Sequence, residues 1–328
     1  MIEVPGFADV KAAAARIAPY AVRTPLVESP ALNAIGGGRV FLKLENLQRT
    51  GSFKFRGACN RILMIPESAR AKGVVAFSSG NHAQGVAAAA QLFGIPALIV
   101  MPQDAPKAKI EGTRAYGAEI VTYDRVKDDR EAIAAKICAE RGATLIKPYD
   151  DPGVMAGQGT AGLEIAEDAT RFGVTLDAVA APCSGGGLVS GIALALKGAG
   201  VTAKVHSVEP ENFDGMKRSL QAHQRTAAPG TSQGGKLSVA DALMAPVPGI
   251  HVFALAEGLL APGISVSDDE LTRAVAFAAT QLKLLVEPGG AAALAAFLAG
   301  KLEGKTAALV ISGGNADFAS VAEAVARY

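Results

Sequence analysis

Histidine and cysteine are scarce, at four and three in 328 residues. Cys59, Cys138 and Cys183 are odd in number and widely spaced, which suits reduced thiols in a cytoplasmic protein rather than a disulfide framework. No two histidines stand at a metal-binding spacing such as His-Glu-x-x-His, which argues against a histidine-based metal hydrolase. An excess of one charge is missing too. Lysine and arginine number 32 against 31 acidic residues, with no basic cluster or aromatic-interleaved patch, so nucleic acid is not an expected partner. The longest apolar run, Ala291 to Ala299, is too short for a bilayer. Met1-Ile2-Glu3-Val4-Pro5 lacks a basic n-region with an apolar stretch behind it, so neither a membrane partner nor a signal peptide is expected. Internal repeats and low-complexity tails are absent from the sequence.

What the chain has is hydrophobic mass, half of its residues, enough for one large or two modest domains. Short β-branched runs alternate with Ala-rich helical stretches, which predicts α/β layers around mainly parallel, twisted sheets flanked by helices. One cluster is compact: strand Gly73–Phe77, helix Ala83–Phe93, strand Ala97–Met101, helix Lys107–Tyr116, strand Glu119–Tyr123, helix Asp128–Arg141 and strand Thr144–Lys147. It reads as a small inserted domain over 73–150, with 1–72 and 151–328 forming the larger one. The stretch from Phe213 to Ile250, with Ala-Ala-Pro-Gly at 227–230 and Gln-Gly-Gly at 233–235, reads as a surface excursion with short helices.

Three segments carry chemistry. Lys54 lies between Phe53 and Phe55 behind a Gly-Ser turn; desolvation by aromatics lowers a lysine's pKa and frees an amine that can attack an aldehyde. Cys183-Ser184-Gly185-Gly186-Gly187-Leu188 joins a β-like run to a helical one, a corner where backbone N–H groups and the helix dipole hold phosphate. Ser78-Ser79-Gly80-Asn81-His82 occupies a second strand-to-helix corner, suited to a carboxylate. Amine, phosphate cradle and carboxylate cradle together describe an amino acid bound on pyridoxal phosphate.

Six motifs in order make the chain resemble the serine/threonine dehydratase branch of the fold-type II pyridoxal-phosphate enzymes, the threonine ammonia-lyase and serine racemase family with a tryptophan-synthase-β-like fold. They are Thr50-Gly-Ser-Phe-Lys54-Phe-Arg-Gly-Ala58, Ser78–His82, Ala156-Gly-Gln-Gly-Thr160, Ser184–Leu188, Val286-Glu-Pro288 and Ser312-Gly-Gly-Asn315. They cover the chain from about residue 20 onward. The sequence runs only a little past Asn315, so the regulatory domain of biosynthetic threonine dehydratases, and feedback by isoleucine through it, are not expected.

The resemblance implies roles residue by residue. Lys54 is the Schiff-base lysine and the base at Cα, with Phe53 beside the cofactor. Ser184, Gly185, Gly186, Gly187 and Leu188 hold the phosphate, Ser184 standing where the family has a fourth glycine. Asn81 meets the phenolic oxygen of the cofactor. Ser79 is the acid/base on the face opposite the lysine, and Ser78, Ser79, Gly80 and His82 form the substrate-carboxylate pocket; a packed imidazole is the other reading of His82. Ser312 faces the pyridine nitrogen, where a hydroxyl leaves it neutral and favours β-elimination over transamination. Glu209 and the carbonyl of Phe213 match two ligands of a Mg²⁺ or Ca²⁺ site, with Gly215 replacing the expected aspartate and Asp214 one residue early. Arg130 resembles an arginine near the mouth of serine racemase, although its neighbours Asp128, Asp129 and Glu131 suggest a solvated helix residue paired locally. Cys183 reads as a small packing residue.

The implied activity is dehydration and deamination of L-threonine or L-serine, small hydroxy-amino-acid substrates, to a 2-oxo acid and ammonia by a cytoplasmic homodimer or higher homo-oligomer. Serine racemase and 3-hydroxyaspartate dehydratase use the same machinery. A nicotinamide dehydrogenase is the competitor from another class, because Gly185-x-Gly187 with Glu209 after the next strand imitates a dinucleotide fingerprint. Ser190 occupies the third glycine position, however, and Lys54 and Ser78–His82 are left unexplained.

Overall fold

The structure is a computed structural model describing residues 2–105, 107–231 and 237–328. Among these residues ten strands form two sheets. Strands β1 (Leu26–Glu28) and β2 (Arg39–Leu44) precede β3 (Val74–Phe77), β4 (Ala97–Pro102), β5 (Glu119–Tyr123) and β6 (Thr144–Leu145). Then come β7 (Ala178–Pro182), β8 (Lys204–Pro210), β9 (Ile264–Val266) and β10 (Thr306–Ile311). One sheet has the order β1-β2-β10-β7-β8-β9 and the other β5-β4-β3-β6. All pairings are parallel except that of β1 with β2. The fold is thus the expected α/β arrangement of parallel sheets flanked by helices. The expected elements of 73–147 appear with boundaries within two residues, as in the helix expected from Asp128, which starts at Arg130.

Parallel sheets covered on both faces need strands that are apolar throughout. In β10, Leu309 and Ile311 enter one core while Ala308 and Val310 enter the core on the opposite face. In β4, Ile99 and Met101 face one layer and Leu98 and Val100 the other. The Ala156–Thr160 motif has a packing task. An added Cβ on Gly157 would lie 2.6 Å from Gly57 Cα, and one on Gly159 2.8 Å from Gly191 O. Helix Pro152–Arg171 can therefore lie directly against helices Lys54–Leu63 and Gly187–Gly198.

The Phe213–Ile250 stretch holds helix Gly215–Ala222 and short 3₁₀ turns at Pro229–Thr231 and Asp241–Leu243; Gln233-Gly234-Gly235 lies outside the described residues. Among those residues, no helix is long and apolar enough to cross a membrane.

Candidate active site

Strands β3, β7 and β10 all end at one cavity of about 230 Å³. This is where an open parallel sheet offers free backbone N–H groups and helix N-termini. Lys54 reaches it from the first turn of helix Lys54–Leu63, and the segment just before that helix is pinned to the end of β10. Ser52 bridges to Gly313, Phe53 N donates to Ser312 O at 3.1 Å, and Gly314 N donates to Gly51 O at 2.9 Å. Gly51 has φ +72°, and a Cβ there would lie 2.5 Å from Asn315 Oδ1, so this tight join needs glycine. Lys54 Nζ donates to Pro148 O at 2.7 Å and lies 5.2 Å from the centroid of the Phe53 ring. Burial lowers its pKa to about 8, opposed only by the charge of Glu287. An appreciable share of the amine is therefore neutral near physiological pH.

The Ser184–Leu188 turn follows β7, and helix Gly187–Gly198 starts inside it. An added Cβ on Gly185 would lie 2.3 Å from the Tyr149 ring, and one on Gly186, whose φ is +92°, 2.5 Å from Met216. Over Gly185–Gly187 the turn thus presents only backbone. Ser184 does more than fill space: its Oγ accepts from Ala245 N at 3.1 Å, tying the 241–245 segment to the cradle. Cys183 is buried in the core as a packing residue.

At the end of β3, Ser78, Ser79, Gly80, Asn81 and His82 line the same cavity. Ser78 Oγ accepts from Gly80 N at 3.2 Å. His82 donates from Nε2 to Ile146 O at 2.8 Å, and burial drops its pKa to about 3. Its ring is therefore neutral, and the buried Nδ1, which has no protein partner among the described residues, carries a lone pair. That makes His82 an acceptor, so a carboxylate bound here would draw its hydrogen bonds from hydroxyls and backbone N–H groups. Asn81 Nδ2 donates to Glu287 Oε1 at 2.5 Å, and Asn81 Oδ1 accepts from Asn315 Nδ2 at 2.7 Å. The Ser312 hydroxyl lines the cavity with no hydrogen bond to described protein groups. A partly neutral buried amine, a cradle that any Cβ would fill, a free hydroxyl and an oriented amide fit pyridoxal phosphate.

Glu209 and Phe213 are not in this cavity. Glu209 is fully buried, and its Oε1 and Oε2 accept from Met216 N and Lys217 N, both at 2.8 Å, at the start of helix Gly215–Ala222. Burial lifts its pKa to about 8. The Asp214 carboxylate is occupied by Arg218 at 2.6 Å and Ser265 at 3.0 Å. Among the described residues no three His, Cys, Asp or Glu side chains cluster as a metal requires. The Mg²⁺ or Ca²⁺ expectation therefore does not fit the residues as placed, because the carboxylates already serve a helix end and an arginine.

Several lining residues lie outside the roles read from sequence: Tyr149, Lys109, Asp241 and Glu287; Arg130 also lines the cavity, where the resemblance to a mouth arginine puts it. Lys109 Nζ donates to Asp241 Oδ2 at 2.7 Å. The local pairing expected for Arg130 is absent, since Asp129 spends its carboxylate on Glu131 N and Ala132 N as the helix cap. Arg130 instead lies 5.4 Å from the centroid of the Phe77 ring. The position of an N-cap aspartate just before Arg130 is the sequence signal that anticipates this. The Val286-Glu287-Pro288 motif likewise flagged Glu287 without revealing its task.

Comparison with known proteins agrees with this geometry. The family model "Pyridoxal-phosphate dependent enzyme" matches residues 17–313. The L-threo-3-hydroxyaspartate ammonia-lyase of Pseudomonas sp is 42% identical over 322 residues, 96% of this chain and 97% of the relative. The crystal structure of a T.th. threonine deaminase is 45% identical with a TM-score of 0.89, over 96% of this chain and 99% of that one. Maize serine racemase is 35% identical with a TM-score of 0.91, over 99% and 98%. A nicotinamide dehydrogenase is thereby set aside. The chain belongs to the pyridoxal-phosphate-dependent enzymes of fold-type II, in the branch that holds threonine ammonia-lyases and serine racemases.

Proposed function

We propose that the chain is an ammonia-lyase that removes the β-hydroxyl and the amino group of a small 3-hydroxy-amino acid, with L-threonine and L-serine as its leading substrates. The observation that carries this is Lys54, a buried amine of pKa about 8 on a cavity that also presents the uncharged Ser312 hydroxyl. Bound pyridoxal phosphate would supply an electron sink for the bond broken at Cα. The protein's share is positional. Gly185–Gly187 and Ser184 would hold the phosphate, Asn81 would meet the phenolic oxygen, and Ser312 would serve the ring nitrogen with a hydroxyl in place of a carboxylate. The substrate carboxylate would rest on the Ser78 and Ser79 hydroxyls and the N–H of Asn81, with Gly80 shaping the turn that presents them. Lys54 then takes the Cα proton, an amine near its pKa being an efficient base.

A second reading, elimination from 3-hydroxyaspartate, is supported by Arg130. Its guanidinium lines the cavity and has no ion pair among the described residues, so a second substrate carboxylate has a ready partner. The test is a product assay of holoenzyme with L-threonine, L-serine, D-serine and both diastereomers of 3-hydroxyaspartate. Release of 2-oxo acid and ammonia supports the lyase, whereas accumulation of the opposite enantiomer would replace it with a racemase. If 3-hydroxyaspartate is the better substrate, Arg130→Ala should cut its kcat/KM about 10- to 100-fold, the worth of a hydrogen bond between charged groups. L-threonine turnover should change little.

A further inference from the structure

Glu287 is buried, lines the cavity and has no salt-bridge partner among the described residues. Its Oε1 instead accepts from the side chain of Asn81 at 2.5 Å. On the other edge of the same amide, Asn315 Nδ2 donates to Asn81 Oδ1 at 2.7 Å and also to Thr50 O at 2.8 Å. The Asn81 amide is thus gripped by an acceptor at its NH₂ and a donor at its carbonyl. Rotating it by half a turn would set two NH₂ groups against each other at Asn315 and two oxygens against each other at Glu287. The grip depends on Gly313, where an added Cβ would lie 2.1 Å from Glu287 Oε1 and 3.3 Å from Asn81 Nδ2. One N–H of Asn81 remains for a ligand.

We propose that Glu287 is a positioning residue: with Asn315 it fixes which way the Asn81 amide points, so that Asn81 meets the phenolic oxygen of the cofactor with an N–H and not with its carbonyl. The proposal rests on the assignment of Asn81 to that oxygen. Ionisation modulates the grip, because a carboxylate is a stronger acceptor than a carboxylic acid. The charged groups facing Glu287 are Lys54, Lys109 and Asp241, the last two paired with each other; His82 nearby is neutral. With so little net positive charge opposite, burial holds the Glu287 proton up to a pKa of about 7. The hold on Asn81 therefore tightens as pH rises through neutrality.

The test resolves holoenzyme to apoenzyme and compares the affinities of pyridoxal phosphate and 3-deoxypyridoxal phosphate, which lacks the phenolic oxygen. Glu287→Leu should lower the preference for pyridoxal phosphate roughly tenfold, the worth of one hydrogen bond to a charged group. Glu287→Gln, an isostere that keeps an acceptor toward Asn81, should restore most of the preference and make it independent of pH across neutrality. Equal loss of affinity for both ligands in Glu287→Leu would show a packing role only and overturn the proposal. If Glu287→Leu does not fold, an unaltered pH dependence in Glu287→Gln overturns it instead. If Asn81→Ala leaves the preference intact, the assignment of Asn81 itself fails, an outcome distinct from failure at Glu287 alone.

Discussion

Two groups of buried charges approach the helix Lys54–Leu63 from different sides, and they are built on opposite principles. Lys54 and Arg56 are two residues apart, about 200° around the helix axis. On the Arg56 side every charge is matched. Arg56 donates to both oxygens of Glu45 and both oxygens of Glu164, each at 2.8 Å. Lys43, wholly buried, donates to Glu164 at 2.5 Å and to Thr24 O at 2.7 Å. On the Lys54 side, among the described residues, the amine meets a carbonyl and a ring, Glu287 an amide and Arg130 a ring, none of them an opposite charge in an ion pair. Matched charges hold strands and helices in one register, whereas unmatched ones keep chemical potential for a ligand at a cost in stability.

The contrast breaks most visibly at Lys54. Lys54→Ala should lower turnover by about four orders of magnitude or more, as loss of a reacting group does elsewhere, and should abolish the borohydride-reducible link to cofactor. The apoprotein should be no less stable than wild type. Folding lowers the Lys54 pKa from 10.5 to about 8, so below pH 8 the folded state carries an unfavourable buried ammonium that the variant lacks. A reducible link in Lys54→Ala would place the cofactor on another lysine.

Arg56→Met should show the reverse. It leaves Glu45 buried beside Thr24 without its guanidinium, and breaking a buried pair from one side costs about 3–5 kcal/mol. Denaturant unfolding would report the loss directly. A cost near zero would mean that the matched cluster does not hold the helix in place.

This division explains what could be read in the sequence. The strand–helix alternation, the glycine corners after β3 and β7, and Lys54 between aromatics are local patterns, each decided within about ten residues. Pairing is not local. Arg130 has acidic neighbours on both sides, yet Asp129 caps the helix and the guanidinium lies over the Phe77 ring at the cavity. Glu287 is an ordinary glutamate until β10, the 241–245 segment and helix Asn81–Leu92 bury it. Glu209 matched a cation ligand by spacing, yet Gly215 opens a helix whose N–H groups take both of its oxygens.

Glu287 sharpens the comparison through pH. Its folded pKa, about 7 against an ordinary 4.5, means that the folded protein keeps a proton the unfolded chain releases. Wild-type stability is therefore lost as pH rises from 4.5 through 7, by roughly 3 kcal/mol once the shift is fully expressed. In the apoprotein Glu287→Gln should match wild type at acid pH and melt several degrees higher above pH 7. The same difference at every pH would show that Glu287 does not titrate in the fold.

Glu209 lies between the two principles and should give the smallest response. It is buried with no ion-pair partner among the described residues, like Glu287, yet both of its oxygens are hydrogen-bonded, like those of Glu45. A helix N-terminus is a partial positive charge, so its two N–H groups do part of the work of a cation. Chelators should therefore leave activity and Tm nearly unchanged, and Mg²⁺ or Ca²⁺ should add little. A bound ion would instead add stability by mass action, about 2.7 kcal/mol at a hundredfold excess over its Kd. Gly215→Asp brings a carboxylate to the same helix start, where the nearest foreign atom to an added Cβ is Pro248 Cδ at 3.3 Å. That variant should gain a cation response only if Glu209 can release its backbone donors. A chelator-sensitive wild type would show that the two N–H groups are not enough and that Glu209 belongs with the matched charges.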